Sequence, residues 1–360
     1  MKKTFIITTV FLLALTACGQ EQTPSESIQD QSFEANEGLL DVHFIDVGQG
    51  DASLVTWEHE EETFSLLVDA GDWNDRTAVD YLHEQGIEEL DLLIGTHPHA
   101  DHIGQMADVI NEFHVAEAWM SGDETDTLVF ERTLDAILEN DVDYHEPRAG
   151  EEFDLGGATI EVLHPESVSG DLNNGSIVMK LTYGQISFLF TGDVEHQAEQ
   201  DMLERGANLE ATVLSVPHHG SNTSSSDAFI EAVQPTYAIY SAGLENAYNH
   251  PADDVLQSYE SIGATIYGTD ENGTIIASTN GQEVKITTNQ NQAENHTSCI
   301  NVNTATAEEL EGISEIGPDR AQQIIELRPF SSVNELTRID GIGEARLNTI
   351  KEEGIACVGE

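Results

Sequence analysis

The feature that most constrains this chain is a cluster of histidine and aspartate side chains that directly follows an apolar run. Leu90 to Ile94 predicts a buried strand, and residues 97 to 102 then supply three imidazoles and one carboxylate: His97, His99, Asp101 and His102. A loop after a strand lets such groups converge on one or two divalent cations. Imidazole with carboxylate, and no thiolate, suits Zn or Mn in a hydrolytic site. The alternative is a histidine-rich surface turn, which this spacing after a buried strand disfavours.

Three more apolar runs each end in a polar motif. Phe64 to Val68 precedes Asp69-Ala70-Gly71, Phe188 to Phe190 precedes Thr191-Gly192-Asp193, and Val213 to Val216 precedes Pro217-His218-His219-Gly220-Ser221. Together with the histidine cluster, these motifs resemble the signature of the metallo-β-lactamase superfamily. That resemblance implies an α/β fold, the αββα metallo-β-lactamase sandwich.

The order of predicted elements agrees with such a sandwich, because short β-rich runs alternate with helical patterns. Strands are predicted at Val42–Val47, Ser53–Trp57, Ser65–Val68, Thr159–Leu163, Ile177–Thr182 and Thr274–Ala277. Helices are predicted at Thr77–Gln85, Asp101–Glu112, Thr127–Asn140, Glu195–Glu204, Ala228–Val233 and Asp253–Ser261.

A narrower resemblance rests on longer stretches of sequence. Asp41 to Ala52, Asn174 to Val178 and Ser241 to Pro251 look like the metallo-β-lactamase domain of the ComEC family of competence DNA channels. The resemblance covers almost all of residues 39–288, the expected hydrolase domain. It does not extend to the membrane-embedded channel of that family, so it does not imply DNA transport.

The superfamily resemblance implies two divalent cations, Zn or Mn, held by a defined set of side chains. The expected ligands are His97 and His99 for the first cation, Asp101, His102 and His219 for the second, and Asp193 for both. His218 is expected to contact substrate, although His218 and His219 could exchange roles. Asp69, Asn174 and Ser221 are expected beside the ligands, where they orient them.

One departure from the superfamily pattern affects the first cation. Most members supply a further histidine just before the strand that here begins near Ser176, where this chain has Asn173-Asn174-Gly175. The first site is then loose, filled by water, or completed by Asn174 or by His250. His164 is another candidate, but a structural role is favoured for it. His250 is preferred as a proton donor or phosphate contact, with helix capping beside Pro251 as the alternative.

Two such cations favour hydrolysis of a phosphodiester, because they activate water and neutralise the leaving oxygen. Asp101 or Asp193 is expected to accept the proton of that water, and His218 and His250 complete the predicted catalytic set. Hydrolysis of β-lactams is disfavoured, since nothing beyond the shared metal motif supports it.

The N-terminus predicts export and lipidation. Lys2 and Lys3 precede the apolar run Phe5 to Leu15, and Cys18 follows at a small-residue cleavage site, so residues 1–17 are a predicted lipoprotein signal peptide. Cys18 would anchor the mature chain by lipid alone to the outer face of the cytoplasmic membrane. An ordinary secretion signal with a chance cysteine is the alternative. The polar residues 18–38 are a predicted flexible tether.

The charge of the chain is extreme. It holds 67 acidic and 13 basic residues, a formal net charge of −54. Such a surface repels itself and any polyanion unless salt screens it. We therefore predict a halophilic or alkaliphilic host.

The C-terminal part has a different character. Residues 289–298 are a polar predicted linker, and residues 299–360 contain two similar turns, at Gly312 to Ala321 and at Ile339 to Arg346. Each is a glycine-containing hairpin that leads into a helix. The segment resembles the tandem helix-hairpin-helix module of the ComEA family of competence DNA receptors, which implies a small all-α domain that binds DNA without reading its sequence.

Such hairpins present backbone amides at a helix N-terminus to a phosphate. The expected DNA contacts are Gly317, Gly341, Gly343, Arg320 and Arg346. Glu315 stands where a glycine is usual, so the first hairpin is expected to be mainly structural. Five basic against twelve acidic residues give the segment a net charge of −7, which predicts weak DNA binding or binding by one face only. A packing module that has lost DNA binding is the alternative.

Two cysteines, Cys299 and Cys357, flank this module. Outside the membrane such a pair is expected to form a disulfide, with two buried thiols as the alternative.

The favoured interpretation is a surface-anchored, metal-dependent nuclease that cleaves extracellular DNA held by the C-terminal module, for nucleotide scavenging or competence. A second interpretation changes the substrate to a small or wall-linked phosphodiester such as phosphocholine. A third is a DNA-binding surface protein without enzymatic activity.

Overall fold

The computed structural model describes residues 39–60, 62–244, 246–288, 300–310, 312–313, 315–330, 332–353 and 356–358. The predicted signal peptide, the tether, Cys18, the linker and Cys299 lie outside these residues. Within the described parts of the chain, no helix combines the length and apolarity needed to cross a bilayer.

The first sheet has eight strands. They are β1 (Leu40–Phe44), β2 (Ser53–His59), β3 (Glu62–Val68), β4 (Glu89–Gly95), β5 (His114–Met120), β6 (Asp143–His145), β14 (Ile275–Thr279) and β15 (Val284–Thr288). Their order is β15-β14-β1-β2-β3-β4-β5-β6. Strands β3 to β6 are mutually parallel, and the other pairs are antiparallel.

The second sheet has seven strands. They are β7 (Glu152–Leu155), β8 (Ala158–His164), β9 (Val178–Tyr183), β10 (Ile186–Phe190), β11 (Val213–Ser215), β12 (Tyr237–Tyr240) and β13 (Thr265–Gly268). Their order is β13-β12-β11-β10-β9-β8-β7. Strands β10 to β13 are parallel, and β7 to β10 are antiparallel.

Helices cover the outer face of each sheet. One apolar core, which includes Phe44, Trp119 and Phe188, fills the space between the sheets. Two further cores lie beneath the helices of either layer. The structure thus confirms the predicted αββα sandwich. The helices are α1 (Thr77–Glu84), α2 (Ala100–Ile103), α3 (Met106–Glu112), α4 (Leu128–Glu139), α5 (His196–Glu204), α6 (Asp227–Val233), α7 (Asp253–Ser261) and α8 (Thr269–Asn272).

The single helix predicted at Asp101–Glu112 is wrong, because the chain leaves helical geometry between α2 and α3. Gln105 has φ −107° and ψ 5°, and its side-chain amide donates to Asp72 O over 3.0 Å and to Asp75 Oδ1 over 2.8 Å. The preceding Gly104 donates its amide to Gly71 O over 2.9 Å. These contacts hold the break between the two helices against the loop that follows β3.

Parallel strands bring the polar motifs to one edge of the sandwich. In the first sheet Val68 of β3 pairs with Ile94 of β4, so the residues after both strands lie side by side. In the second sheet Leu189 of β10 pairs with Leu214 of β11. Because the carboxyl ends of adjacent parallel strands share an edge, the loops that follow them can build one site.

The C-terminal segment contains helices α9 (Ala307–Leu310), α10 (Pro318–Leu327) and α11 (Glu344–Glu353), with a 3₁₀ helix at Val333–Arg338. It has its own apolar core, which includes Leu310, Ile324 and Ile350. In addition to the predicted helices, two short parallel strands, β16 (Ile300–Asn301) and β17 (Ala356–Cys357), pair its ends. Since Cys299 is not among the described residues, its disulfide with Cys357 stays a prediction.

Candidate metal centre

Asp193 lies at the centre of the edge site, on the turn that follows β10. Its side chain is 3% exposed. Its Oδ2 is 3.6 Å from His97 Nε2, and its Oδ1 is 3.2 Å from His102 Nε2 and 3.7 Å from His219 Nε2. One buried carboxylate therefore faces histidines from both sheets.

Asp193 belongs to two groups of side chains that could each hold a cation. The first group is His97, His99 and Asp193, and the second is Asp51, His102, Asp193 and His219. Within each group the ligand atoms lie within 4.8 Å of one another. Asp193 is shared between them, so the arrangement can accept two neighbouring cations.

Asp51 was not predicted as a site residue. It ends the Gly48-Gln49-Gly50-Asp51 turn after β1, and its Oδ1 lies 3.7 Å from His219 Nδ1. The only signal in the sequence is that Asp51 falls within the Asp41 to Ala52 stretch that carries the ComEC resemblance. Asp101, which was predicted for the second group, lies beside it, with Oδ2 3.5 Å from His219 Nε2.

Two hydrogen bonds orient the histidines of the second group. His102 Nδ1 donates to Asp69 Oδ2 over 2.8 Å, and Asp69 also accepts from the amide and the hydroxyl of Thr96. His219 Nδ1 donates to the carbonyl oxygen of Ser241 over 2.9 Å. With Nδ1 protonated, Nε2 of both rings carries the lone pair that a cation needs.

The buried polar atoms of this group fit a divalent cation. Among the described residues, His102 Nε2, His219 Nε2 and Asp193 Oδ1 are buried and have no hydrogen-bond partner. Leaving such atoms without a partner costs free energy, which a shared cation would remove. Imidazole nitrogens with carboxylate oxygens are donors that suit Zn or Mn.

The pKa values show how strongly these groups attract one another. Burial alone would lower the pKa of His102, but the carboxylates of Asp193 and Asp69 hold it well above its usual value. Burial opposes the shift of His219 too, yet Asp193 and Asp101 raise its pKa to about 9. The histidines hold the pKa of Asp193 well below its usual value against the effect of burial. A bound cation would replace the protons of these histidines.

The turn after β11 carries two consecutive histidines in the left-handed region, His218 at φ 52° and His219 at φ 56°. Residues other than glycine disfavour this conformation, and such strain is typical of functional sites. His218 Nε2 is 3.7 Å from Asp193 Oδ2, and His218 Nδ1 is 3.5 Å from Glu195 Oε1. The turn thus brings both rings to the same aspartate.

The site opens into a cavity of about 400 Å³. Asp101, His218, His250, Asn173 and Tyr248 contribute to its walls. His250 Nδ1 is buried and has no hydrogen-bond partner among the described residues. Asn246, which was not predicted, holds His250 in place by hydrogen bonds to its backbone amide and carbonyl.

The two adjacent asparagines have different surroundings. Asn174 Oδ1 accepts from the amides of Glu195 and Ala198 over 3.2 and 3.1 Å, so this side chain caps α5. Asn173 Oδ1 is buried, has no hydrogen-bond partner in the described parts of the chain, and belongs to a residue that lines the cavity. The residue at the cavity is therefore Asn173, which the sequence did not single out. His164 Nε2 is 2.7 Å from the backbone oxygen of Asn174, in a structural contact.

Ser221 lies behind His218. Its hydroxyl is 3.1 Å from Thr223 Oγ1, which in turn is 3.3 Å from His218 Nδ1 and donates to Glu195 Oε1 over 2.8 Å. These contacts link Ser221 to His218, which lines the cavity, whereas Ser221 itself does not.

The residues predicted to bind DNA gather at the two hairpins of the C-terminal segment. A Cβ atom added to Gly317 or Gly343 would meet no described atom within 4 Å, so the backbone there is open to approach. Gly341 has φ 82° and lies beside the guanidinium groups of Arg320 and Arg346.

Both the sandwich and the C-terminal segment match known protein families. Residues 45–243 match the metallo-beta-lactamase superfamily, and residues 295–353 match the helix-hairpin-helix motif. ComE operon protein 3 of Bacillus subtilis is 32% identical over 259 residues, which cover 67% of this chain and 33% of that protein. Competence protein ComA of Neisseria gonorrhoeae is 30% identical over 256 residues, 69% of this chain and 33% of that protein.

A shorter similarity, 41% identity over 66 residues, links the chain to a protein named deoxyribonuclease from a Thioalkalivibrio species and covers 18% of each. The chain spans about a third of the length of the two competence-related relatives. Because the superfamily match spans more than half of the chain and the fold agrees with it, this chain belongs to the metallo-beta-lactamase superfamily.

Proposed function

We propose that this chain is a metal-dependent phosphodiesterase whose substrate is DNA. The observation that carries the proposal is the buried Asp193, shared by two groups of cation ligands at the wall of an open cavity. His97, His99 and Asp193 would hold one cation, with the amide of Asn173 as a fourth ligand. Asp51, His102, Asp193 and His219 would hold the other. Either Zn or Mn suits these donors.

When bound, two cations lower the pKa of a water molecule and stabilise negative charge on a phosphodiester. Asp101 lies at the cavity wall and is held ionised by its contact with His219, which outweighs burial and keeps the pKa of Asp101 below its usual value. It is the proposed acceptor of the proton released by the attacking water. His218 and His250 are the proposed contacts to phosphoryl oxygens. Burial lowers the pKa of His250, which favours a neutral ring and the role of a phosphate contact over that of a proton donor.

Three observations support DNA as the substrate. The chain carries a helix-hairpin-helix motif, a module that presents backbone amides to phosphates. One relative is named a deoxyribonuclease, and another a competence protein. Tyr248 lines the cavity and is 66% exposed, so its ring offers a face on which a nucleobase can stack.

We further propose that the enzyme works outside the cytoplasmic membrane, attached by a lipid on Cys18. The basic residues, apolar run and cysteine of its first 18 residues support this location. Extracellular DNA is then the accessible substrate, in nucleotide scavenging or in competence.

A second candidate substrate is a small or wall-linked phosphodiester such as phosphocholine. The size of the cavity, about 400 Å³, lies in the range of small-ligand sites. The net charge of −54 also repels a polyanion more strongly than it repels a small ester.

The proposal is tested by incubating the purified protein with linear and circular DNA, with Mn or Zn or with EDTA. We expect cleavage only with metal, and loss of cleavage in His97→Ala and Asp193→Ala. His114→Ala removes a histidine whose side chain is 73% exposed, and it should cleave like the wild type. Cleavage that survives EDTA or both site variants would refute the metal centre. Turnover of bis-p-nitrophenyl phosphate without any cleavage of DNA would favour the small-ester substrate.

A further inference from the structure

The two hairpins of the C-terminal segment form an internal repeat. Glu315 corresponds to Gly341, and Arg320 corresponds to Arg346. Arg320 Nη1 donates to the carbonyl oxygen of Glu315 over 2.7 Å, and Arg346 Nη1 donates to that of Gly341 over 2.8 Å. Each arginine therefore binds the carbonyl of the residue five positions before it, in the same way in both repeats.

Glu315 is where the repeats differ. It has φ 67°, in the left-handed region that Gly341 occupies at φ 82°. A glutamate is disfavoured in this conformation, whereas glycine adopts it freely. The Glu315 carboxylate reaches across to the second repeat, where its Oε2 lies 2.8 Å from Arg346 Nε. A strained residue thus supplies an anion to an arginine of the other hairpin.

The second hairpin is where cationic groups gather. A Cβ atom added to Gly341 would lie 3.1 Å from Arg320 Nη2 and 3.3 Å from Arg346 Nη1. Arg320 Nε also donates to the carbonyl oxygen of Asp340, in this hairpin, over 3.3 Å. Helix α11 begins directly after Gly343, so its first amides add partial positive charge. In a segment with a net charge of −7, these two guanidinium groups and the first amides of α11 are the positive groups that a phosphate would meet at this hairpin.

We propose that Glu315 is an internal competitor of the DNA phosphate, because its carboxylate occupies the Arg346 guanidinium at the second hairpin. Binding of a phosphodiester backbone there exchanges one anion for another, so the module gains less affinity than its two arginines would otherwise give. This inference rests on the proposed binding of DNA by the helix-hairpin-helix segment. It makes Glu315 a residue that limits the affinity of the enzyme for its substrate.

The size of the effect follows from the exposure of the pair. The side chains of Arg346 and Glu315 are 44% and 36% exposed, and an exposed ion pair changes an equilibrium constant by up to about fivefold. Releasing Arg346 should also add about one phosphate contact. The slope of log K against log salt concentration should then become more negative by about one.

The test measures binding of a fluorescein-labelled DNA duplex to the full chain by anisotropy, in EDTA so that the DNA stays intact. Glu315→Gln should bind about three- to fivefold more tightly than the wild type and with a steeper salt dependence. Glu335→Gln is the matched control, since it removes the same charge from an ion pair with Arg338, 3.1 Å away in the 3₁₀ helix. It should change affinity by much less. Arg346→Gln should weaken binding.

Glu315→Gly is a second variant, because glycine fits the backbone at that position, and it should show the same gain. Circular dichroism checks that each variant folds. Equal affinities of Glu315→Gln and Glu335→Gln, or no gain in Glu315→Gly, would overturn the role of Glu315 while leaving DNA binding intact. If the wild type and all variants fail to bind, the proposed DNA binding is overturned together with this inference.

Discussion

Asn173 and Asn174 are adjacent and identical, but only Asn173 lines the cavity. Asn174 caps α5 with two hydrogen bonds, whereas the Asn173 oxygen is buried beside the cavity without a partner among the described residues. Identical side chains therefore have different surroundings, because one meets the start of α5 and the other meets the cavity. No property of the two residues in the sequence distinguishes them.

Substituting each asparagine with alanine should separate these effects. Asn174→Ala should destabilise the protein by about 1 kcal/mol, as expected for loss of a helix cap, and leave the metal content unchanged. Asn173→Ala should leave stability unchanged in EDTA and lower metal affinity about tenfold or more. Urea denaturation and metal titration measure the two quantities. If Asn173→Ala lost stability and Asn174→Ala lost metal affinity, Asn173 would not be a ligand.

The polar motifs at the strand ends predicted much of this site. His97, His99, His102, Asp193 and His219 were predicted as ligands, and the structure brings all five together. Asp101, the sixth predicted ligand, lies outside both groups. Asp51 escaped prediction because it reaches His219 from a turn 168 positions earlier in the chain. A contact of that kind depends on how the two sheets pack, which the local pattern around Asp51 does not encode.

At the scale of elements, the break between α2 and α3 positions the histidine loop. A Cβ atom added to Gly104 would lie 2.3 Å from Gly71 O and 2.3 Å from Trp73 N, which are backbone atoms that cannot move aside cheaply. The periodicity of the segment predicts one continuous helix, because local sequence does not report this close approach. The strands and helices that were predicted overlap observed ones, because their apolar residues repeat at regular spacing. Strands β5, β6, β7, β12, β13 and β15 and helix α8 were not predicted.

Gly104→Ala should therefore destabilise the protein by about 1–3 kcal/mol, the range for overpacking. Since α2 carries Asp101 and His102, metal affinity should fall as well. Gly343→Ala is the control, because its added methyl group would meet no described atom within 4 Å. Urea denaturation compares the two variants with the wild type. A Gly104→Ala variant as stable as the wild type would contradict the tight contact between α2 and the loop after β3.

For the molecule as a whole, we expect the negative charge to control how stability depends on salt. A net charge of −54 makes the folded chain repel itself, and this repulsion falls as salt shortens the Debye length to about 3 Å at 1 M. We expect the free energy of unfolding to rise between low salt and 1 M NaCl. Urea is the appropriate denaturant, because it adds no ions. Stability that is constant or falls with NaCl would contradict the expected adaptation to a saline or alkaline habitat.

The proposed hydrolysis of a phosphodiester depends on cations held by the centre around Asp193. The most direct test is the metal content of the purified protein after dialysis against Mn or Zn, measured by mass spectrometry of the elements. We expect about two cations per chain in the wild type and fewer than one in a folded Asp193→Ala variant. A wild type that retains no metal, or an Asp193→Ala variant that retains as much as the wild type, would show that Asp193 does not hold a pair of cations.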